Sequence, residues 1–414
     1  MDYSVRFSTR SHGLTPSPIR KLVPIMRLPG MISLGGGYPN ADTFAFERLD
    51  VRFRSGKTFA IEGPRVDLAC QYGPTDAQPD LKPLIQAWHQ SKDHVRLESD
   101  QVQVLNGAQE GLHIMAYLFL DETDCVVVSE PAYPGALGAF NAFCRNFIAV
   151  PLDKNGMVTM ELESILDQRS AAGLPMPKFI YDVPNGHNPG GVALSFERRK
   201  HLLAIASRFD LLILEDDPYQ LLLIEDQPPL PTLQSMDTEH RVVRLDSFSK
   251  IFAPGLRIGY ASGPSEIIQK FNLYKQGSNL HTSSMVQSIL AGYMEQHPPE
   301  VFRELIRTNC RLYRQNRDAM VDSAREYLPG EVRFNIPREG MFLWFELPGG
   351  CDAERMMETD GRDIGVLLVP GSAFSTTGGL RNCMRASYSM MTCEQIREGM
   401  RRFGVMIERE LARH

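Results

Sequence analysis

The chain has 414 residues, of which 43% are hydrophobic and 23% charged, with a formal net charge of -6. That length exceeds one ordinary core and predicts two or more domains, while the mildly acidic balance gives no electrostatic footprint for nucleic acid. No apolar run approaches the roughly 18 residues that a membrane span needs; the run Gly111–Leu120 is cut off by Asp121-Glu122.

Seven cysteines, at 70, 125, 144, 310, 351, 383 and 393, form no CxxC pair and are odd in number. They predict reduced thiols in a cytosol-like compartment and no metal site. The N-terminus carries Arg6, Ser8, Arg10 and Ser11 without a signal-peptide apolar core, which leaves organellar targeting open.

Residues 1–28 show no long periodic run and are broken by Pro16, Pro18 and Pro24, so they are expected to form an extended arm. Within it, Arg20 reads on residue type alone as a solvated arginine. Ile32–Pro39 contains three consecutive glycines, the composition of a ligand-facing turn. Gln71–Pro74 is a second turn, followed by a helical pattern over Pro79–Gln90. Val102–Val104 reads as a strand leading through Asn106–Gly111 into an apolar helix that ends at Leu120. A glycine-bearing turn at a helix start offers backbone N–H groups to phosphate, a weak signal when taken alone.

Strands and helices then alternate. Strands are expected at 125–128, 147–150, 179–181, 211–214 and 242–245, with a helix from the N-cap Ser195 to Ser207. This is the pattern of a mostly parallel sheet flanked by helices. A connecting helix over Pro299–Tyr327 follows, and then strands at 342–347, 366–369 and 383–387, a helix over 353–360 and a C-terminal helix from Thr392. The last part reads as a smaller α+β domain. The expected division is an arm over 1–28, a small domain from 29–50 and 315–414, and a large domain over 51–314.

Tyr133, Asn188, Asp216, Tyr219, Ser247 and Lys250 all follow the C-terminal end of an expected strand, the edge where ligands bind in open α/β sheets. The stretch Arg241–Tyr260 is the most informative. Lys250 lies between hydroxyl residues, with Arg257 seven positions on. Such a loop can hold an anion and offer an amine to an aldehyde, so pyridoxal 5'-phosphate is the candidate cofactor. Ser247, Ser249 and Arg257 would hold its phosphate, and Lys250 would form the imine and move the proton; the alternative for Lys250 is a surface lysine. Asp216 is chosen as the carboxylate that keeps the ring nitrogen protonated, with Asp217 expected to be a surface or cap residue. Tyr219 and Asn188 could contact the ring's phenolic oxygen and Tyr133 could stack on the ring, though each fits ordinary core packing equally. Arg385, inside an expected strand, could anchor a substrate carboxylate; its alternative is a structural salt bridge.

These motifs resemble the class I/II pyridoxal-phosphate aminotransferases, most closely their kynurenine/2-aminoadipate (aromatic amino acid) branch. The resemblance rests on PSPIR (16–20), MISLGGGYPN (31–40), QYGP (71–74), EPAYPG (130–135), VPNGHNPGG (183–191), EDDPY (215–219), DSFSKIFAPGLRIGY (246–260), GMFLW (340–344) and MRASYS (384–389). It implies the aspartate-aminotransferase-like α/β fold and transfer of an amino group from an L-amino acid to a 2-oxo acid such as 2-oxoglutarate, in a ping-pong sequence through a Lys250 imine. It adds Ala108 and Gln109 to the phosphate contacts. Tyr72 would reach the phosphate of a neighbouring subunit in a homodimer. Arg20, Gly37, Tyr72, Asn188, Phe342 and Arg385 become substrate-side residues, so Arg20 moves from bland to functional. Two departures are visible: Ala108 stands where relatives often carry serine, and Asn188-Pro189-Gly190-Gly191 lacks the threonine of the usual NPTG. A β-eliminating lyase would share every cofactor residue. A transcription regulator with this domain would need a helix-turn-helix segment, and only about 30 proline-broken residues precede the glycine turn, too few for that reading.

Overall fold

The computed structural model describes residues 1–26, 28–32, 34–35 and 37–413. Ser33 and Gly36 of the glycine-rich motif, Arg27 at the end of the arm and His414 lie outside the described residues. The chain clusters into two units, Met1–Glu122 with Thr232–Glu304, and Thr123–Pro231 with Leu305–His414.

In the first unit the strand Gly259–Ser262 pairs antiparallel with both Val102–Leu105 and Val242–Ser247; Tyr260 stands opposite Val104 on one side and Asp246 on the other. The Gly259–Ser262 strand is fully buried and only four residues long, too short for its period to be read from sequence. Helix Ala108–Phe119 starts directly after Val102–Leu105 and buries Leu112, Met115 and Phe119. The arm is not simply extended. Pro18–Met26 is a helix, and its start follows from Ser17-Pro18: the Ser17 hydroxyl accepts from Arg20 N–H at 3.4 Å, and proline fits the first helical position because its missing donor would have had no partner there.

In the second unit the strands Leu212–Asp216, Phe179–Asp182, Cys125–Glu130 and Asn146–Asp153 run parallel in that spatial order. Gly156–Met157 returns antiparallel beside the last. The three strands Phe179–Asp182, Leu212–Asp216 and Cys125–Glu130 are buried almost throughout, as expected when helices cover both faces. Ser195 caps helix Phe196–Arg208 as expected, accepting from Arg198 N–H.

A separate antiparallel sheet contains Arg333–Phe334, Phe342–Glu346, Cys383–Ser387 and Val369–Pro370. Leu343, Phe345, Met384, Phe403 and Ile407 form its buried core, fed by the C-terminal helix Cys393–Leu411 with its Thr392 cap. Two expectations here are corrected. The strand at 366–369 shrinks to Val369–Pro370. The helix expected over 353–360 continues through a π-turn at Met357–Gly361 to Ile364, where Gly365 at φ 74 and Val366 both donate to the Gly361 carbonyl at 3.0 Å. The α/β class, with mostly parallel strands flanked by helices and a smaller antiparallel part, is the one expected. The long helix Pro299–Tyr327 also has its expected bounds.

Candidate active site

The expected site residues fall into two groups, one in each unit. In the first unit, Ser247 ends its strand, and the loop beyond is closed by Phe248 N–H donating to the Ile258 carbonyl at 3.1 Å. Inside the loop, Ser249 N–H donates to Ser247 Oγ at 3.1 Å and Arg257 Nη1 donates to Ser249 Oγ at 3.3 Å. Lys250 is half-buried in the same loop. Arg257 also donates to the carbonyls of Pro254 at 3.2 Å and Asn106 at 3.4 Å. It meets only neutral oxygens, and no carboxylate pairs with it among the described residues.

The Asn106 contact brings Arg257 to the start of helix Ala108–Phe119. Gly107 has φ 81, and a Cβ there would lie 2.5 Å from Arg257 Nη2. Among the described residues no side chain caps this helix N-terminus, so Ala108 and Gln109 stand at the positive end of a helix beside a guanidinium held only by neutral oxygens. The set fits a phosphate dianion.

Asp246, one residue before this loop, is bound to the Arg244 guanidinium at 2.9 Å and to Lys92 at 3.0 Å. Burial pulls its carboxyl upward, but Arg244 and Lys92 outweigh that and hold it well below the usual range. It is a structural anchor beneath the loop.

Arg20 and Tyr72 are also in this unit. Arg20 Nη1 donates to the Gly73 carbonyl at 2.8 Å, which ties the arm helix to the Gln71–Pro74 turn. Gly73 N–H in turn donates to His281 Nε2 at 3.2 Å. Arg20 pairs with no carboxylate among the described residues. Tyr72 remains 49% exposed, edge-on to Tyr38 and His281. Gly37 is exposed, with open space where a Cβ would sit.

In the second unit the strand register sorts the carboxylates. Tyr181 stands opposite Leu214, and Asp182 opposite Glu215. Side chains alternate along a strand, so Asp216 shares a face with Leu214 and Tyr181. The Tyr181 hydroxyl accordingly donates to Asp216 Oδ2 at 2.9 Å, both groups being buried. Asp182 and Glu215 occupy the opposite face. Asp217 is no surface residue: it is 3% exposed and accepts from Asn185 Nδ2 at 2.6 Å and Gln220 N–H at 3.1 Å. Asn185 Oδ1 accepts from the fully buried Arg199 at 2.6 Å. Burial pushes the Asp182 carboxyl up to about 7, against the opposing pull of Arg199 and the Val183 backbone N–H; neither oxygen makes a hydrogen bond of normal geometry to the described residues.

Tyr219 is buried and lies edge-on to Phe342, with ring centres 5.9 Å apart. Burial, then the charge of Asp216, pushes its phenol well above the ordinary value, while Arg385 and a hydrogen bond with Asn188 work the other way. Arg385 Nη1 donates to Asn188 Oδ1 at 2.8 Å. Its guanidinium lies over the rings of Phe342, at 4.4 Å, and Phe374, at 5.0 Å. No carboxylate pairs with Arg385 among the described residues and its buried Nε is unpartnered, so the structural salt bridge is not there. Burial lowers its affinity for its proton. Tyr133 precedes helix Pro134–Asn141, and its ring crosses Gly135 so closely that a Cβ there would strike the phenol.

Sequence reading missed Tyr181 and His187. Tyr181 could have been found from register, because a residue paired two positions before Asp216 must share its face. Among the described residues no helix is long and apolar enough to cross a membrane, and no group of His, Cys, Asp and Glu could hold a metal ion.

Residues 68–403 match the family model for aminotransferase class I and II. The chain is 33% identical to aromatic-amino-acid aminotransferase 1 of Thermococcus litoralis, over 99% of this chain and 96% of the relative. It is 33% identical to the mitochondrial kynurenine/alpha-aminoadipate aminotransferase of Mus musculus, over 99% and 100%. Among solved structures it resembles the kynurenine aminotransferase of Pyrococcus horikoshii in complex with PMP, with a TM-score of 0.79, 32% identity, and 99% and 98% coverage.

Proposed function

The chain belongs to the class I and II aminotransferases, and from that premise we propose that it moves the amino group of an L-amino acid with a large or aromatic side chain, kynurenine or 2-aminoadipate included, to a 2-oxo acid such as 2-oxoglutarate. Pyridoxal phosphate, when bound, supplies the electron sink that makes the α-proton of an amino acid removable. Both residue groups suit it. The start of helix Ala108–Phe119, Gln109, Ser247, Ser249 and Arg257 would hold the phosphate. Asp216, oriented by Tyr181, would keep the ring nitrogen charged, and Tyr219 and Asn188 would hydrogen-bond the phenolic oxygen, with Tyr133 against the ring. Lys250 would provide the amine that retains the aldehyde, and would carry the α-proton. Tyr72 is proposed to serve the phosphate of a second subunit, which its exposed ring favours.

Arg385 is the observation that carries the reading of an amino-acid substrate. A half-buried guanidinium that pairs with no carboxylate among the described residues, spread over two aromatic rings, is set for the forked bond to a substrate carboxylate. Arg20, likewise without a carboxylate, and Gly37 and Phe342 are proposed to shape the side-chain pocket. The seven cysteines, all free thiols, favour a reducing, cytosol-like compartment.

The test is a panel of amino donors (kynurenine, 2-aminoadipate, tyrosine, phenylalanine, methionine, leucine) with 2-oxoglutarate and added pyridoxal phosphate, followed by oxo-acid formation. Double-reciprocal plots at several acceptor concentrations should give parallel lines, the signature of ping-pong transfer. Release of ammonia without any glutamate would overturn the reading in favour of elimination.

A further inference from the structure

We infer that His187 is a positioning residue that ties the loop carrying Asn188 to the loop carrying Tyr133; the inference rests on the cofactor reading above. The imidazole is buried at 2% exposure, and so is Ser129 at 1%. Gly190 N–H donates to His187 Nδ1 at 3.2 Å. A backbone N–H can only donate, so Nδ1 is the acceptor and the ring proton of a neutral imidazole sits on Nε2. His187 Nε2–H then donates to Ser129 Oγ at 2.8 Å, and the Ser129 hydroxyl donates onward to the Pro131 carbonyl at 2.9 Å.

One directional chain therefore runs from Gly190 through His187 and Ser129 to Pro131. Asn188 adjoins its middle, and Tyr133 is two residues beyond its end. The backbone closes the first loop from both sides, with His187 N–H donating to the Val192 carbonyl at 2.8 Å and Gly191 N–H to the His187 carbonyl at 2.7 Å. Ala132 N–H holds the second loop to the Phe374 carbonyl at 2.8 Å, and Phe374 is one of the two rings under Arg385. Asn188 is itself the acceptor for Arg385. A shift of either loop would thus move the proposed ring contacts together with the proposed carboxylate anchor.

The packing around Gly190 leaves little room for a side chain. A Cβ at Gly190 would lie 3.3 Å from His187 Nδ1 and would run into Leu152 Cδ2. Leu152 chiefly, with the imidazole beside it, fills the volume that a side chain at 190 would need. Burial keeps the imidazole neutral, pushing it down to about 3, which fits a fixed donor and acceptor and not a proton shuttle.

Three variants test the chain. Ser129→Ala removes the hydroxyl with little change of volume. His187→Asn can still accept from Gly190 but cannot reach Ser129, and His187→Gln can reach Ser129 but loses the Nδ1 acceptor. The parent protein is first titrated with pyridoxal phosphate; absence of a bound visible band there sinks the cofactor reading, independently of His187. Given that band, melting of the cofactor-free variants, cofactor Kd and visible circular dichroism of the bound form are measured, with kcat and KM for the best donor. Ser129→Ala and His187→Asn are expected to weaken cofactor binding about ten- to hundredfold, the loss of a buried hydrogen bond. They should also diminish the visible dichroism and lower kcat more than they raise KM. His187→Gln should recover most of the Kd and dichroism. Variants that melt lower yet keep the parent's Kd, dichroism and kcat would reduce His187 to a packing residue and overturn the inference, as would a Gln variant no better than Asn. Should His187→Asn fail to fold, Ser129→Ala decides.

Discussion

The two groups of candidate residues are built by opposite means. The phosphate group uses backbone N–H donors, short hydroxyls and a guanidinium held by neutral oxygens, and most of it comes from two continuous stretches, 106–109 and 247–257. The ring and carboxylate group uses buried side chains oriented by partners distant in sequence. Tyr181 meets Asp216 across neighbouring strands, and Arg385 meets Asn188 from 197 positions away. The first group therefore consists of two short stretches, each shaped by its own backbone, that meet where Arg257 donates to the Asn106 carbonyl. The second exists only when the whole of its unit is folded in register.

The comparison can be broken most forcefully at Lys250. Lys250→Ala should lower turnover by about 10²–10⁴-fold or more, the contribution of a positioned proton carrier, and abolish the visible band; residual turnover within tenfold of the parent would remove Lys250 from its role. Asp216→Ala should come next. Loss of an opposite charge against the ring nitrogen corresponds to about 10- to 1000-fold, and it should fall on kcat rather than on cofactor Kd; the reverse split would place Asp216 among the binding groups. Gly107→Ala should do the opposite. At φ 81 and ψ 165 Gly107 occupies a region essentially reserved for glycine, costing a side-chain residue about 1–3 kcal/mol, and the added Cβ displaces Arg257, so cofactor Kd should rise by about tenfold while kcat at saturation stays within about twofold. A kcat loss equal to the Kd change would deny that the two groups act separately.

Asp182→Asn should have the smallest effect on turnover and a clear one on stability. In the parent, this carboxyl titrates at 3.8 when unperturbed and at about 7 in the folded chain. Between those values the unfolded chain releases a proton that the folded chain retains, so stability falls as pH rises, and it levels off above 7. The variant lacks that titration and should exceed the parent above pH 7 by on the order of 2–4 kcal/mol. Melting curves from acid to mildly alkaline pH that run parallel for the two proteins would refute it.

The same contrast decides what could be read from sequence. Each of the two stretches proposed to hold the phosphate was legible because its residues are neighbours in the chain and their types state their chemistry. The strands of the second unit were legible from short apolar runs, and Asp216 from its place at a strand end. Tyr181 was not, since its role depends on the pairing of Phe179–Asp182 with Leu212–Asp216, and pairing order is not a local property. Of the two expectations for Asp217, surface or cap, the first fails because Asn185 folds over it, while its bond from the Gln220 N–H is of the capping kind. Helix Pro18–Met26 was obscured by its prolines, although Ser17-Pro18 is a good helix start. The antiparallel strand Gly259–Ser262 gave too few residues to show a period.

Arg385 has one practical consequence. A guanidinium that has no acid of its own will accept the carboxylate of whatever small molecule is abundant. Acetate, citrate and formate buffers should therefore act as competitive inhibitors against the amino donor. Apparent KM values measured in such buffers would overstate the true constants, whereas the same assay in phosphate-free, carboxylate-free buffer would report the site itself.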